Sequence, residues 1–525
     1  MIRNFGGIIL LSLLTVADFS TPARYDFVVY GGTAGGIIAA VAAAREGLRV
    51  ALLEPGNHLG GMVSGGLGIT DHGKKEVIGG YALEFFQRVG RHYQEPITWY
   101  FEPHVAERVF LDMIRQAGVE VFYQHRLKEK LGVRKKGTTI ESIHLENGRE
   151  FRAELFADCT YEGDLMAQSG ISYTWGREGT IEYGESLAGV RPRDKNHMFM
   201  VSIPARDAKG NLWPEISPAA RGDIGTGDKR VQAYNFRVCL SRDKNNQVPF
   251  PKPADYNAAR YALLQRLIEA TAAKTGQPPR LGDLMHVQMI PNQKTDINNN
   301  GAFSTDYIGK NYGYPESGYK ERAEIWQDHK NYIQGFFYYL AHDPAVPVIL
   351  RDEVNQWGLA KDEFQDSGHW PHQLYVREAR RMAGSYVMTQ KDIQTELTKP
   401  DVIGMGSYNS DSHNVQRYEA EDGTVQNEGN MEVPVAPYQI PYRIMLPKKA
   451  EATNLLVPVC FSASHVAYST LRMEPQYMII GHAAGVAASL ASRQKRALQE
   501  IDVDALRAKL RSQRAVFYWD QAGAK

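Results

Sequence analysis

The densest set of chemically capable side chains lies in GSYNSDSHNVQRY, residues 406–418, which offers Tyr408, Asp411, His413, Asn414 and Arg417. An imidazole accepts a proton near neutral pH, so His413 is the candidate base and Asp411 the candidate carboxylate that orients it. The alternative is a hydrogen-bonded structural histidine. Asn414 and Arg417 are candidate substrate contacts. A second set surrounds VREARRMAGSYVMTQKDI, residues 376–393, which reads as a helix preceded by His372. Its arginines Arg377, Arg380 and Arg381 could clamp an acidic substrate, or pair with neighbours such as Glu378. The three cysteines, Cys159, Cys239 and Cys460, form no C-x-x-C pair, so neither a metal site nor a disulfide framework is expected. The run DINNNG, residues 296–301, reads as a loop with possible affinity for sugar hydroxyls.

Such groups need elements to position them, and the clearest lie near the start, in YDFVVYGGTAGGIIAAVAAAREGLRVALLEPGNHLGG, residues 25–61. Phe27 to Tyr30 is an apolar strand, Ile37 to Arg45 an alanine-rich helix, and Arg49 to Leu53 a second strand ending in Glu54. Strand, glycine turn, helix, strand and acidic end is the order of a dinucleotide-binding unit. Gly31 makes the tight turn and Gly36 lets the helix pack on the strand. Thr33 takes the place of the middle glycine of G-x-G-x-x-G, where its hydroxyl is expected to face a phosphate oxygen. A second glycine group follows in HLGGMVSGGLGITD, residues 58–71, and favours FAD, a long bent dinucleotide that needs further close backbone approaches.

Beyond this unit, Val105–Ala117 reads as an amphipathic helix and Val119–Tyr123 as a strand. Residues 139–156 form a hairpin about Asn147-Gly148, leading into ADCTYEGD. From about residue 186 the texture turns to Pro, Gly, Asn and aromatics, with helices at Asp255–Ala273 and Lys320–Ala341. Asn454–Cys460 is an apolar strand before a small-residue helix at 472–491, the mark of a return to the first domain. The division expected is a leader over 1–20, a cofactor domain over 24–185, an inserted substrate domain over 186–445, the return over 446–500 and a tail over 501–525.

Zero net charge and the absence of a long basic run give no reason to expect nucleic acid or an anionic membrane as partner. Hydrophobic residues make up 43%, enough for sizeable cores, and the 28 tyrosines are more than a core needs, as in clefts that bind sugars. Arg3 and the apolar run Gly6–Ala17 read as a secretory signal peptide or, alternatively, a buried N-terminal segment; the run is too short for a stable membrane span.

The chain resembles the secreted branch of the FAD-dependent oxidoreductase family that carries GGTPAG-type turns. The motifs are VVYGGTAGGIIAAVAAAREG, LEPGNHLGGMVSGGLGITD, DCTYEGDLMAQSGISYTWGRE, LYVREARRMAGSYVMTQKDI, GMGSYNSDSHNVQRY and VPVCFSASHVAYSTLRMEPQYMIIGHAAGVAA, over about residues 25–490. Ala34-Gly35 departs from the commoner Pro-Ala. The resemblance implies an α/β fold: a glutathione-reductase-like FAD-binding Rossmann domain with an inserted α+β substrate domain. It implies that Gly31, Gly32, Thr33 and Gly36 face the pyrophosphate and Glu54 the adenosine ribose. Gly60, Gly61 and Met62 would run along the flavin side, and Leu127 would touch the adenine through its backbone. Thr160, Gly163 and Asp164 would lie near the adenosine half. Arg472, Met473 and Glu474, with the helix after Gly481, would approach the flavin, and His465 and Tyr468 would be near it. The function expected is hydride transfer from a small polar donor, plausibly a carbohydrate derivative, to flavin N5, with an unidentified electron acceptor. The alternatives are a polysaccharide lyase, in which Tyr408, His413 and Arg417 act on a uronate, and a binding scaffold.

Overall fold

The computed structural model describes residues 24–519. The expected leader lies outside them. A seven-stranded sheet forms the base. Its central strand, Arg24–Tyr30, runs parallel to Val50–Leu53 on one side and to Glu150–Asp158 on the other. Glu120–Phe122 extends the first side, and Leu455–Leu456 pairs in parallel with the end of Glu150–Asp158. Residues Phe27 to Tyr30 and Val50 to Leu53 are all buried. That is why they read as continuous apolar runs: both faces of a parallel strand are covered. The carboxyl ends, at Tyr30, Leu53, Phe122 and Asp158, share one edge, where an open α/β sheet binds ligands.

The covering helices are Ala34–Arg45 and the late helix Glu474–Gln494, packed against each other. Their small residues set the separation. A Cβ on Gly481 would sit 2.1 Å from the Gly35 carbonyl oxygen, and one on Gly485 2.3 Å from that of Ala39. The late apolar strand is shorter than its sequence suggests: only Leu455–Leu456 pair in the sheet, and Val457 N donates instead to the Met445 carbonyl. Within the expected tail, Val503–Ser512 is a helix with Leu506 and Leu510 buried, and the Arg514 carbonyl accepts from Gly80 N.

The region expected as an inserted domain holds a second, antiparallel sheet of Val238–Ser241, Gln247–Val248, Met285–Ile290, Lys294–Asn299 and Gly358–Ala360. Helices Ala262–Thr275 and Tyr319–His342 accompany it. Thus DINNNG is mostly a strand rather than a loop. The expected helix over 376–393 is also not formed. Arg381–Met382 is a short strand on Tyr173–Thr174, and only Gln390–Gln394 is helical. Its helix-favouring residues are overridden because the arginines are buried and each reaches a different tertiary acid.

Lys294 ties the two regions together. Its ammonium lies 2.6 Å from Glu102, 2.6 Å from Asp362 and 2.7 Å from Glu363. Glu102, His104 and Glu363 bring ligand-type atoms within 4.8 Å of one another, as a metal site would, but this ammonium already bonds both carboxylates. Lys294→Ala leaves Glu102 and Glu363, both nearly fully buried, without their cation. A loss of about 3–5 kcal/mol is expected on denaturant unfolding.

Candidate functional site

The first glycine turn and the second glycine loop touch. Gly60 N donates to the Gly32 carbonyl at 2.7 Å. Gly31 has φ +102°, which a residue with a side chain rarely adopts. Glu54 lies behind the turn, its Oε2 accepting from Gly32 N at 2.8 Å and its Oε1 from Gly56 N at 2.5 Å. Burial lifts its carboxyl to about 7, against the pull of those two N–H groups. Thr33 differs from expectation. Its hydroxyl donates to the Cys159 carbonyl at 2.7 Å and accepts from Gly36 N, capping the helix, so it is not directed at a phosphate. Glu54→Ala removes the acceptor of two backbone N–H groups and the candidate ribose partner. A ten- to hundredfold weaker FAD affinity is expected in a fluorescence titration, about 1.4 kcal/mol for each tenfold.

A cleft of about 430 Å³ opens beside the strand ends, lined by Tyr30, Pro55, Arg126, Thr160, Glu162 and Asp164, and roofed by Tyr319, Arg322 and Trp326 of helix Tyr319–His342. Arg126 lies over the Tyr319 ring at 4.3 Å. Flat aromatic and guanidinium surfaces of this kind suit a nucleobase. Thr160 Oγ1 accepts from Gly163 N and donates to Asp158 at 2.7 Å, fixing the turn into helix Asp164–Gln168. Asp164 is held by Arg322 and Arg380, each at 2.7 Å. The backbone of Leu127, expected to touch the adenine, has both its polar groups bonded within the protein: its N–H donates to the Tyr30 hydroxyl and its carbonyl accepts from the Tyr319 hydroxyl.

Tyr161 ties the start of the late helix to the second glycine loop. Met62 N donates to the Tyr161 hydroxyl at 3.0 Å, and that hydroxyl donates to Glu474 Oε1 at 2.7 Å. Met473 is the N-cap position. Arg472 Nε, Glu474 Oε2 and both side-chain polar atoms of Gln476 are buried without a hydrogen-bond partner. Buried polar atoms are nearly always paired, so this cluster is shaped for a bound polar group. With the glycine turn it fits an extended dinucleotide. The glycines keep the floor low, Glu54 stands at one end and the orphaned atoms at the other.

A polar cluster gathers His413, Asp306, Arg377, Asp411, Arg472 and Tyr375. His413 Nδ1 lies 2.7 Å from Asp306 Oδ2, while Nε2 is 4.0 Å from Asp411 Oδ2, beyond hydrogen-bond reach. The carboxylate that orients the imidazole is therefore Asp306, not Asp411. Asp411 instead serves Arg472, whose Nη2 donates to its backbone carbonyl at 2.8 Å. Burial pushes the His413 imidazole below its ordinary pKa; Arg377 adds to this and Asp306 opposes it. Burial would raise Asp306, but Arg377 and His413 outweigh it and hold it below the usual carboxylate range. Tyr408 is also in reach of this cluster, facing Asp71; burial and the nearby carboxylates push its phenol far up.

Several expected site residues are engaged elsewhere. Arg377 is no free clamp, since it bonds Asp306 at 3.2 Å and lies over Tyr375. Arg417 donates to Asn427 and to the Ala302 carbonyl, with its guanidinium over Phe303. Asn414 Nδ2 reaches the His197 carbonyl at 3.5 Å and its Oδ1 is orphaned. His465 is buried at the head of a helix, its Nδ1 2.8 Å from Glu378, which also binds Arg381. His372 stacks on His58 at 4.0 Å in a separate cleft, and His58 has both ring nitrogens facing acids, Glu107 and Asp366. Sequence reasoning missed Tyr161, Tyr319 and Asp306. Tyr161 sits next to Thr160 inside a quoted motif. Asp306 lies in an aperiodic stretch that gives no local signal.

A family model described as FAD dependent oxidoreductase matches residues 26–510. No curated protein matches the chain. Among solved structures, OxyS anhydrotetracycline hydroxylase from Streptomyces rimosus is similar at 15% identity over 35% of this chain and 43% of its own, with a TM-score of 0.22. THI4 of Thermovibrio ammonificans is similar at 18% identity over 30% of this chain and 66% of its own, TM-score 0.24. L-proline dehydrogenase from P. horikoshii is similar at 14% identity over 30% of this chain and 59% of its own, TM-score 0.25. Each match spans less than two thirds of the other protein.

Proposed function

Because the chain belongs to the FAD dependent oxidoreductase family, we propose that it oxidises a small neutral polar donor of the carbohydrate class, with the Asp306–His413 pair as its base. FAD is the cofactor, and when bound it supplies the acceptor for the two electrons of the oxidation. The observation that carries the reading is the bond from His413 Nδ1 to Asp306, which leaves Nε2 free to take a proton. The imidazole is kept neutral by burial and so is ready to accept at neutral pH. Proton uptake at Nε2 from a donor hydroxyl produces an imidazolium, which Asp306 stabilises at Nδ1. Loss of that proton is what lets the adjoining carbon release a hydride.

A neutral donor is favoured over an acid because the arginines of the cluster already have acids. Arg237 bonds Asp296 at 2.6 Å, Arg377 bonds Asp306, and Arg472 faces Asp411. The lyase set does not converge, since Arg417 is committed to Asn427 and Ala302. The proposal includes export, for which Arg3 and the run Gly6–Ala17 are the support.

The test is an absorption spectrum of the purified protein under anaerobic conditions, before and after adding neutral sugars and their uronates. Paired near-ultraviolet and blue bands, bleached by a neutral sugar, are expected. Bleaching by uronates alone would overturn the neutral-donor reading.

A further inference from the structure

Glu474 is the one acid at the head of the late helix, and its side chain is turned inward, with the residue only 3% exposed. The titratable groups that face it are the phenols of Tyr161 and Tyr477; no cation is among them. Tyr161 has a single proton, and it goes to Glu474 Oε1 at 2.7 Å. The other side of that phenol is filled by Met62 N at 3.0 Å. Glu474 Oε2 has no partner at all. An ionised carboxylate here would have one hydrogen bond and no counterion, which a buried charge does not tolerate. The neutral acid instead carries a proton on the orphaned oxygen and needs an acceptor for it.

Tyr161 links Glu474 to the second glycine loop, where a Cβ on Gly61 would come 2.4 Å from its hydroxyl. Arg472 Nε and Gln476 Nε2, donors orphaned in the same turn of chain, face the same need, while the orphaned Gln476 Oε1 needs a donor. We propose that Glu474 is a hydrogen-bond donor to the bound flavin nucleotide, giving the proton on Oε2 to an acceptor atom of that ligand, with Tyr161 fixing its orientation. The inference rests on FAD occupying the glycine cradle. Burial lifts the carboxyl of the free protein to about 8, with the Tyr161 bond opposing the rise. Binding through a donated proton favours the protonated form. FAD affinity should therefore be full below about pH 8 and fall by up to tenfold for each unit above it.

The experiment is titration of the FAD-depleted full chain with FAD from about pH 6 to about pH 10, for the wild type, Glu474→Gln and Glu474→Leu. The wild type should lose affinity on the alkaline side. Glu474→Gln keeps a donor that does not titrate, so it should bind near the wild-type optimum and lack that alkaline fall. Glu474→Leu should bind about tenfold more weakly at pH 7, the worth of one good hydrogen bond to a buried partner. A wild-type alkaline fall that persists unchanged in Glu474→Gln overturns the proposal, as does Glu474→Leu binding FAD like the wild type. Failure of the wild type to bind FAD at any pH would instead remove the cofactor-site reading on which it stands.

Discussion

Gly36→Ala is expected to give a protein that holds no FAD. The added Cβ would lie 2.0 Å from the Gly31 carbonyl oxygen and 2.9 Å from Cys159 Cβ. Both contacts are with the packed floor of the turn, so no flexible side chain can yield. Overpacking typically costs about 1–3 kcal/mol, and a backbone contact this close belongs at or above the upper end. The displacement falls on Gly31, on the Thr33 cap and on the strand end at Cys159 together. Thermal unfolding should show a clear fall in midpoint, and the purified variant should lack the flavin bands. Gly282→Ala is the control: no atom lies within 4 Å of its added carbon, and its φ is not in the left-handed region. It should leave both readings unchanged. A flavin-loaded Gly36→Ala protein would mean that the helix does not approach the turn as described.

The second large effect is at His413. His413→Gln should lower turnover by about 10²–10⁴-fold, the range for loss of a positioned base, with FAD still bound. Asp306→Asn should also lower turnover, because the partner that holds Nδ1 is replaced by one that does not favour the imidazolium. The pH profile carries a second check. Burial depresses the imidazole below its ordinary value of about 6.5. The active neutral form is thus present at neutral pH and is lost only as the pH falls through the depressed value. The acid limb of kcat/KM should therefore lie below the ordinary histidine range and disappear in His413→Gln. Turnover of His413→Gln at the wild-type rate would remove the imidazole from the mechanism.

The dinucleotide unit is legible because its physics is local. Strands buried on both faces must be apolar throughout, and a helix that approaches a strand turn must have glycine at Gly36. The late helix is legible for a similar reason, as alanine and glycine repeat where two helices touch. The reacting side is not local. Asp306 and His413 are 107 positions apart, and the acid two positions before the histidine in sequence, Asp411, is not its partner in space. The segment 376–393 misleads by composition. Glu, Arg, Ala and Met favour a helix, yet Arg380 reaches Asp164 and Glu316, while Arg381 reaches Glu178 and Glu378. Burial of both arginines against acids from distant segments outweighs the propensity of the backbone. Helix Tyr319–His342 was visible in outline, but nothing in its sequence told that its first turns would roof the cleft.

The two helices that meet at Gly35 and Gly481 come from opposite ends of the chain, and Glu46 bonds Gln513 from 467 positions away. Closing a loop of that size is slow compared with forming either helix. The first glycine turn therefore exists as a local motif long before the wall that faces it. During synthesis a ribosome will already carry the β–turn–helix unit while the Arg472–Gln476 segment is still unmade. Capture of the nucleotide must wait until that segment has been made and folded back, and once captured the ligand acts as a clasp between an early-made and a late-made part. Loss of FAD should accordingly loosen the two ends of the chain first, and hydrogen exchange in helices 34–45 and 474–494 should rise together.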